Sequence, residues 1–161
     1  MVTVFWDVHG ILLIEFLPDS IDPVTGRKYT VNADRYFDTL VKLHEAIRRK
    51  RPGLLTRRPI LLHDNARPHS AQLTQTLIRN LKWETFPHPA YSPDLAPSDF
   101  HAFPGLKKEL GGQRFADEAS LRVAVENYFR KMDASWYRVG IEKLVSRYDK
   151  CLNKYGDYVE K

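Results

Sequence analysis

The sequence predicts an α/β fold: a mixed sheet flanked by helices, followed by a helical C-terminal third. Three observations predict it. Two apolar, β-prone runs open the chain, a strand-loop-helix-strand pattern occupies the middle, and two stripes of apolar residues at helical spacing fill the end.

Val2 to Trp6 is apolar and β-prone, and after Asp7-Val8-His9-Gly10 the run Ile11 to Leu17 resumes that character until Pro18. This predicts two strands joined by a tight, glycine-containing turn. Their near-continuous hydrophobicity argues for a sheet covered on both faces. Asp22-Pro23-Val24-Thr25-Gly26 is a loop by its turn chemistry. From the N-cap candidate Asn32, residues Tyr36, Leu40, Leu43 and Ile47 recur on one helix face, and Pro52-Gly53 stops that helix. Pro59 to Asp64 reads as a short buried strand ending in an acid, and Leu73, Leu77 and Leu81 mark a helix running to Lys82. Trp83 to Phe86 supplies the next strand, which makes a βαβ unit. Pro87, Pro89, Pro93 and Pro97 then make a stiff segment that is neither helix nor central strand. Phe103, Leu106 and Leu110 share a helix face with Asp99. Leu121, Val125, Tyr128 and Met132 form one further stripe, and Ile141, Leu144, Tyr148 and Cys151 another. Without repeats or a long linker, residues 1–161 read as a single domain.

The composition sets limits on function. With 161 residues, 43% hydrophobic and 28% charged, the chain can bury one core, which excludes a disordered or collagen-like chain. Its longest apolar runs, Ile11 to Ile14 and Ile60 to Leu62, fall far short of the roughly 20 residues that cross a bilayer, and no charged-then-apolar leader follows Met1. A soluble, non-secreted protein without a membrane partner is expected. Cys151, the one cysteine, sits in a helical apolar pattern and reads as a small buried hydrophobe. A net charge of +5 and a pI near 9.3 lean toward polyanionic partners.

Ligands collect at the carboxyl ends of strands in open α/β sheets, so Asp64 is the best-placed acid in the chain. Asp94 and Asp99 both follow the next strand, and either could approach it. Asp99, in the first turn of a helix, would be held rigidly, whereas Asp94 lies between prolines and suits a turn. Paired carboxylates are what Mg²⁺ or Mn²⁺ requires, and two such ions roughly 3.5 to 4 Å apart run phosphoryl transfer. Two acids so placed should also raise each other's pKa when no metal is bound. The alternative is that they are N-caps and turn acids. His63, His69, His88 and His101 with Asp64 suggest a rival binuclear metallohydrolase, although no His-Glu-x-x-His spacing supports it. Arg48, Arg49, Lys50, Arg51, Arg57 and Arg58 make the densest basic cluster. They either complement the dipole of the preceding helix or contact DNA phosphates. Tyr91, Trp83 and Trp136 read as packing aromatics rather than base-stacking platforms.

His63-Asp-Asn-Ala-Arg-Pro-His69 followed by Tyr91-Ser-Pro-Asp-Leu-Ala-Pro-Ser-Asp99 resembles the signature of mariner-type transposases. The 34 residues between Asp64 and Asp99, positions 65 to 98, match the mariner interval. The resemblance extends to Val4-Phe-Trp-Asp-Val-His-Gly10, Arg48-Arg-Lys-Arg-Pro52, Gln113-Arg-Phe115 and the Trp136 to Cys151 helix, nearly the whole chain. It implies an RNase H-like fold with Asp64 and Asp99 as the second and third members of a metal-binding Asp triad. That triad uses Mg²⁺ or Mn²⁺ to cut and join DNA at transposon inverted repeats. The family resemblance further implies transposon-end and target DNA as partners, a homodimer and a nuclear location.

The family's first catalytic Asp lies in a Gly-Asp-Glu-like motif upstream of the Trp-Asp strand, and no Gly-Asp-Glu occurs in this sequence. The expectation is therefore a partial catalytic domain without its first strand, its first acid and the helix-turn-helix that reads the repeats, and inactive alone. Asp7 matches the Trp-Asp position, which is not the catalytic one, and suits a turn or strand end. The alternative is a non-catalytic DNA-binding or protein-interaction module derived from such an enzyme.

Overall fold

The computed structural model describes residues 1–17, 21, 26, 30–156 and 158–159. The expected loop at Asp22 to Thr25 and the strand-ending Pro18 lie outside the described residues. The described chain forms two compact units: residues 1–5 with 12–90, and residues 6–11 with 91–161.

The first strands are those expected. β1 (Val2–Asp7) and β2 (Gly10–Phe16) make a two-stranded sheet whose turn is completed by Gly10 at φ +130°, a conformation that favours glycine. Leu17 N–H closes the open end on the Met1 carbonyl at 2.8 Å. Leu12 is buried, but most residues of both strands are half-buried rather than sealed on both faces.

In the first unit, α1 (Ala33–Lys50) starts where Asn32 accepts the Arg35 N–H at 2.9 Å. Tyr36, Leu40, Leu43 and Ile47 are all buried, as their spacing requires, against Leu12, Leu61, Leu77, Ile78 and Trp83. Pro52-Gly53 does end α1, and Pro52 also opens a one-turn helix, α2 (Pro52–Thr56), where its missing N–H is harmless. β3 is only Ile60–Leu61 and pairs in parallel with β4 (Glu84–Thr85), so the βαβ unit stands but its strands are shorter than expected. The Phe86 N–H donates to the Leu61 carbonyl at 2.9 Å, just past the two paired residues of each strand. Between the strands lie α3 (Arg67–Ser70) and α4 (Gln72–Asn80). The buried face of α4 is Thr74, Leu77 and Ile78; the expected stripe fails at Leu73, which is 42% exposed. Thr74 can be buried because its hydroxyl donates to the Pro68 carbonyl at 2.6 Å.

The second unit begins with Trp6 to Ile11 and resumes at Tyr91. A 3₁₀ turn (Pro93–Leu95) and a π-helical turn (Ser98–Ala102) run into α5 (Phe103–Leu110), followed by α6 (Glu118–Lys131) and α7 (Ala134–Asn153). Asp117 and Asp133 cap α6 and α7. Val125 and Tyr128 are buried with Phe129, whereas Leu121 at the start of the predicted stripe is exposed. Cys151 is half-buried, less enclosed than expected. Tyr91 is a clear correction: far from packing, it is 91% exposed, on a backbone at φ +54°. Trp83 does pack, in the first unit. No helix among the described residues is long and apolar enough to cross a membrane.

Candidate metal and DNA site

Asp64 follows β3 in the first unit, three residues past the strand's last residue. Both contacts that fix it fall on one oxygen: Oδ1 accepts the Ala66 N–H at 3.0 Å and the His69 Nδ1–H at 2.6 Å. His69 Nδ1 also lies 3.2 Å from the Asp64 carbonyl, so the imidazole bridges backbone and side chain. The carboxyl remains 63% exposed while the His69 side chain is only 20% exposed. Partial burial pushes the Asp64 pKa up, but the Ala66 N–H and His69 outweigh it and hold the group below the usual carboxylate range. This corrects the expectation that a second acid would raise it.

The loop is anchored from several elements. The His69 ring stacks on His63, with centroids 5.0 Å apart and planes 11° from parallel, and lies 4.1 Å from the Tyr36 ring of α1. Tyr36 Oη and His63 Nδ1 are hydrogen-bonded at 2.9 Å. Burial, with His69 nearby, lowers the His63 pKa to about 4, so this imidazole is neutral at pH 7. Burial and the Asp64 charge together push the Tyr36 hydroxyl up, keeping it a protonated donor. Gln75 Nε2 donates to the His69 carbonyl at 2.8 Å, and Asn65 Nδ2 donates to the His88 carbonyl at 2.7 Å. Tyr36 and the two histidines are thus the groups that orient Asp64. Sequence reading placed Tyr36 only on a helix face and the histidines in a rival metal site and at the ends of the mariner-like motif, without a role in orienting Asp64; the paired His63 and His69 flanking Asp64 were the available signal.

Asp99 lies in the second unit, exposed, within the π-helical turn, and its N–H donates to the Ala96 carbonyl at 2.8 Å. Asp94 is instead buried: Oδ2 accepts the Val159 N–H at 2.8 Å, and its carbonyl accepts from Arg147 Nη1 at 3.0 Å. Asp94 therefore ties down residues far along the chain, beyond the local turn role expected of it. Asp7 does play its turn role, accepting the His9 N–H at 2.8 Å.

The ionised, exposed carboxylate of Asp64 is an oxygen donor that suits a hard divalent ion in kind, and exposed Asp99 is a second carboxyl oxygen donor. Among the described residues no group of three or more His, Cys, Asp or Glu is arranged to hold a metal, and His63 and His69 bond instead to Tyr36 and Asp64. Mg²⁺ is commonly bound by one or two carboxylates with waters and substrate phosphates supplying the rest.

Within the basic cluster the side chains differ. Arg48 pairs with Glu45 on the exposed side of α1, and Arg51 Nη1 donates to the Lys50 carbonyl. Lys50 Nζ donates to the Leu12 carbonyl of β2 at 2.9 Å, and partial burial, with Arg49 and Arg51 beside it, lowers its pKa. Arg49, Arg57 and Arg58 are exposed.

A family model described as "Transposase (partial DDE domain)" matches residues 1–57. The chain is 40% identical over 162 residues to the Mariner Mos1 transposase of Drosophila mauritiana, covering 99% of this chain and 45% of that protein. It is 35% identical over 161 residues to the histone-lysine N-methyltransferase SETMAR of Homo sapiens, covering 99% of this chain and 22% of that protein. The chain therefore spans less than half the length of either relative. Among solved structures, the Mos1 transposase catalytic domain with Raltegravir and Mg superposes with a TM-score of 0.89 at 40% identity, covering 98% of this chain and 75% of that one. The Mos1 transposase paired-end complex with left transposon end gives 0.84 at 39% identity, covering 97% and 43%.

Proposed function

This chain belongs to the mariner-type transposases and has their RNase H-like α/β fold, and from that premise we propose that it serves DNA transposition, with Asp64 and Asp99 as its metal-holding acids. The observation that carries this reading is the state of Asp64: ionised, exposed, and fixed by two donors on a single oxygen. Such a carboxylate loses little rotamer freedom on binding a cation. His69 contributes the orientation, since a ligating carboxylate hydrogen-bonded from behind is held at one angle. Neutral His63 adds no competing positive charge beside it. A bound Mg²⁺ or Mn²⁺ would supply Lewis-acid polarisation of a phosphodiester and neutralise charge that develops on its oxygens. Exposed Arg48, Arg49, Arg57 and Arg58, with half-buried Arg51, are the proposed contacts to the DNA backbone, holding transposon-end or target DNA without reading its sequence. Lys50, engaged with the Leu12 carbonyl, has the smallest share in this. Action as a homodimer, in the nucleus, completes the proposal.

The test is a Mn²⁺ titration of the chain, with and without duplex DNA, beside Asp64→Asn and Asp99→Asn. Each substitution should weaken binding roughly tenfold or more, the scale set by disrupting a metal's ligand shell. Equal affinities would refute the site. A second reading, DNA binding without turnover, is favoured by the lack of a three-ligand group among the described residues. On that reading DNA affinity stays the same when EDTA is added.

A further inference from the structure

Asp99 sits on an unusual piece of backbone. In the π-helical turn Ser98–Ala102 the Phe103 N–H donates to the Ser98 carbonyl, five residues back. The next residue, Pro104, has no N–H with which to reach the Phe100 carbonyl four residues back, so an ordinary α-helical register is interrupted there. Single π turns of this kind are rare and need support from their surroundings.

The support comes from the far end of the sequence. The Trp6 indole N–H, on β1, donates to Ser98 Oγ at 3.1 Å, across 92 residues. Three residues on, His101 Nε2–H donates to the Trp136 carbonyl of α7 at 3.0 Å, with the two rings 4.2 Å apart. Trp6 lies against the same group, its ring 6.3 Å from His101, 6.4 Å from Trp136 and 5.7 Å from Tyr137. Gly140 makes the approach possible: a Cβ there would stand 2.4 Å from His101 Cδ2 and 2.9 Å from Trp6 Cη2. The turn is therefore pinned at Ser98 and at His101, on either side of Asp99 and Phe100.

We propose that Trp6 is a positioning residue for Asp99, its N–H bond to Ser98 fixing the π-helical turn so that the Asp99 carboxylate is presented to a divalent cation in one orientation. Trp6 touches neither cation nor DNA in this role; it acts through Ser98. The inference rests on the reading of Asp99 as a metal-holding acid. Without the indole N–H, Ser98 loses a side-chain partner and the turn gains freedom, while the apolar packing of the ring is untouched.

The experiment uses the whole chain and Mn²⁺ as the probe, with free Mn²⁺ read by electron paramagnetic resonance and folding by thermal melting. Trp6→Phe keeps an aromatic ring and removes the N–H, Ser98→Ala removes the acceptor, and Ser98→Thr restores a hydroxyl. Trp6→Phe and Ser98→Ala should each weaken Mn²⁺ binding about three- to tenfold, the double variant should be no worse than either, and Ser98→Thr should bind like the unsubstituted chain. If Trp6→Phe fails to fold, the contrast of Ser98→Ala with Ser98→Thr decides alone. Unsubstituted affinity in Ser98→Ala, while Asp99→Asn loses binding, would overturn the positioning role and leave the metal reading standing. Unchanged affinity in Asp99→Asn, or no Mn²⁺ binding by the unsubstituted chain, would overturn both.

Discussion

Gly140→Ala tests the packing around α7 most directly, because alanine is otherwise the better helix former. Gly140 is buried in α7, and the added Cβ would lie 2.4 Å from His101 Cδ2, 2.9 Å from His101 Nε2 and 2.9 Å from Trp6 Cη2. Carbon atoms pack at about 3.5 to 4.0 Å, so the His101 ring must retreat by about 1 Å or more. Overpacking of this kind costs about 1 to 3 kcal/mol, and displacing His101 from the Trp136 carbonyl forfeits about 1 kcal/mol more. Helix propensity returns about 1 kcal/mol. The net is a loss of about 1 to 3 kcal/mol, or on the order of 5 °C in melting temperature for a chain of this size. Gly53→Ala is the control: nothing lies within 4 Å of its Cβ position in α2, so reduced freedom of the unfolded chain should stabilise by about 0.4 to 1 kcal/mol. Calorimetric melting of both variants is the assay. Gly140→Ala melting at or above the unsubstituted chain would show that His101 and Trp6 are not held where the hydrogen bonds place them.

Other outcomes follow from the same contacts. His63, with its pKa lowered to about 4 by burial, stays neutral in the folded chain down to acid pH, whereas the unfolded chain takes up that proton from about pH 6.5. The unfolded state then binds more protons, so stability present above pH 6.5 should decline as pH falls toward 4, and His63→Gln, melted in EDTA across that range, should show a shallower decline. Replacing Arg48, Arg49 and Arg51 together by alanine should flatten the salt dependence of DNA binding; an unchanged slope in a filter-binding titration would move the footprint elsewhere. The isolated chain should nick inverted-repeat DNA little with Mg²⁺ or Mn²⁺, since Asp64 and Asp99 provide fewer carboxylates than a two-ion centre uses. Strong cleavage abolished by Asp64→Ala would refute that.

What the sequence revealed depended on how local the cause was. Helix α1 was legible down to its cap, because Asn32 and the four apolar positions act within the helix itself. Strand β3 was harder, since its extent is set by pairing with Glu84 and Thr85 of β4, which lie beyond α3 and α4 in the sequence. Helix α4 misled because residue type stood in for burial: Thr74 looks polar, yet the Pro68 carbonyl satisfies its hydroxyl and lets it replace Leu73 inside. Asp64 was visible as an acid past a strand, but the groups that orient it were not, because Tyr36 reaches His63 across 27 residues of chain. Asp99 was expected in a regular first turn, and the π register around it follows from distant Trp6 and nearby Pro104, which helical periodicity does not record.

The hairpin of β1 and β2 is built almost wholly from neighbours in sequence, yet its tip, residues 6–11, belongs with residues 91–161. This gives folding an order. The hairpin can form early, but the C-terminal unit must wait for a closure between Trp6 and Ser98, 92 residues apart, whose length-dependent entropy is about 4 kcal/mol. Severing the chain at Ala90 would therefore not yield two foldable halves. The C-terminal half would lack the tip that supplies Trp6 against His101, Trp136 and Tyr137 and Gly10 beside the Tyr137 ring, leaving these aromatic faces bare. In a chain made from its N-terminus, the hairpin tip can meet Ser98 and His101 before Trp136 and Tyr137 of α7 have been synthesised to complete the cluster.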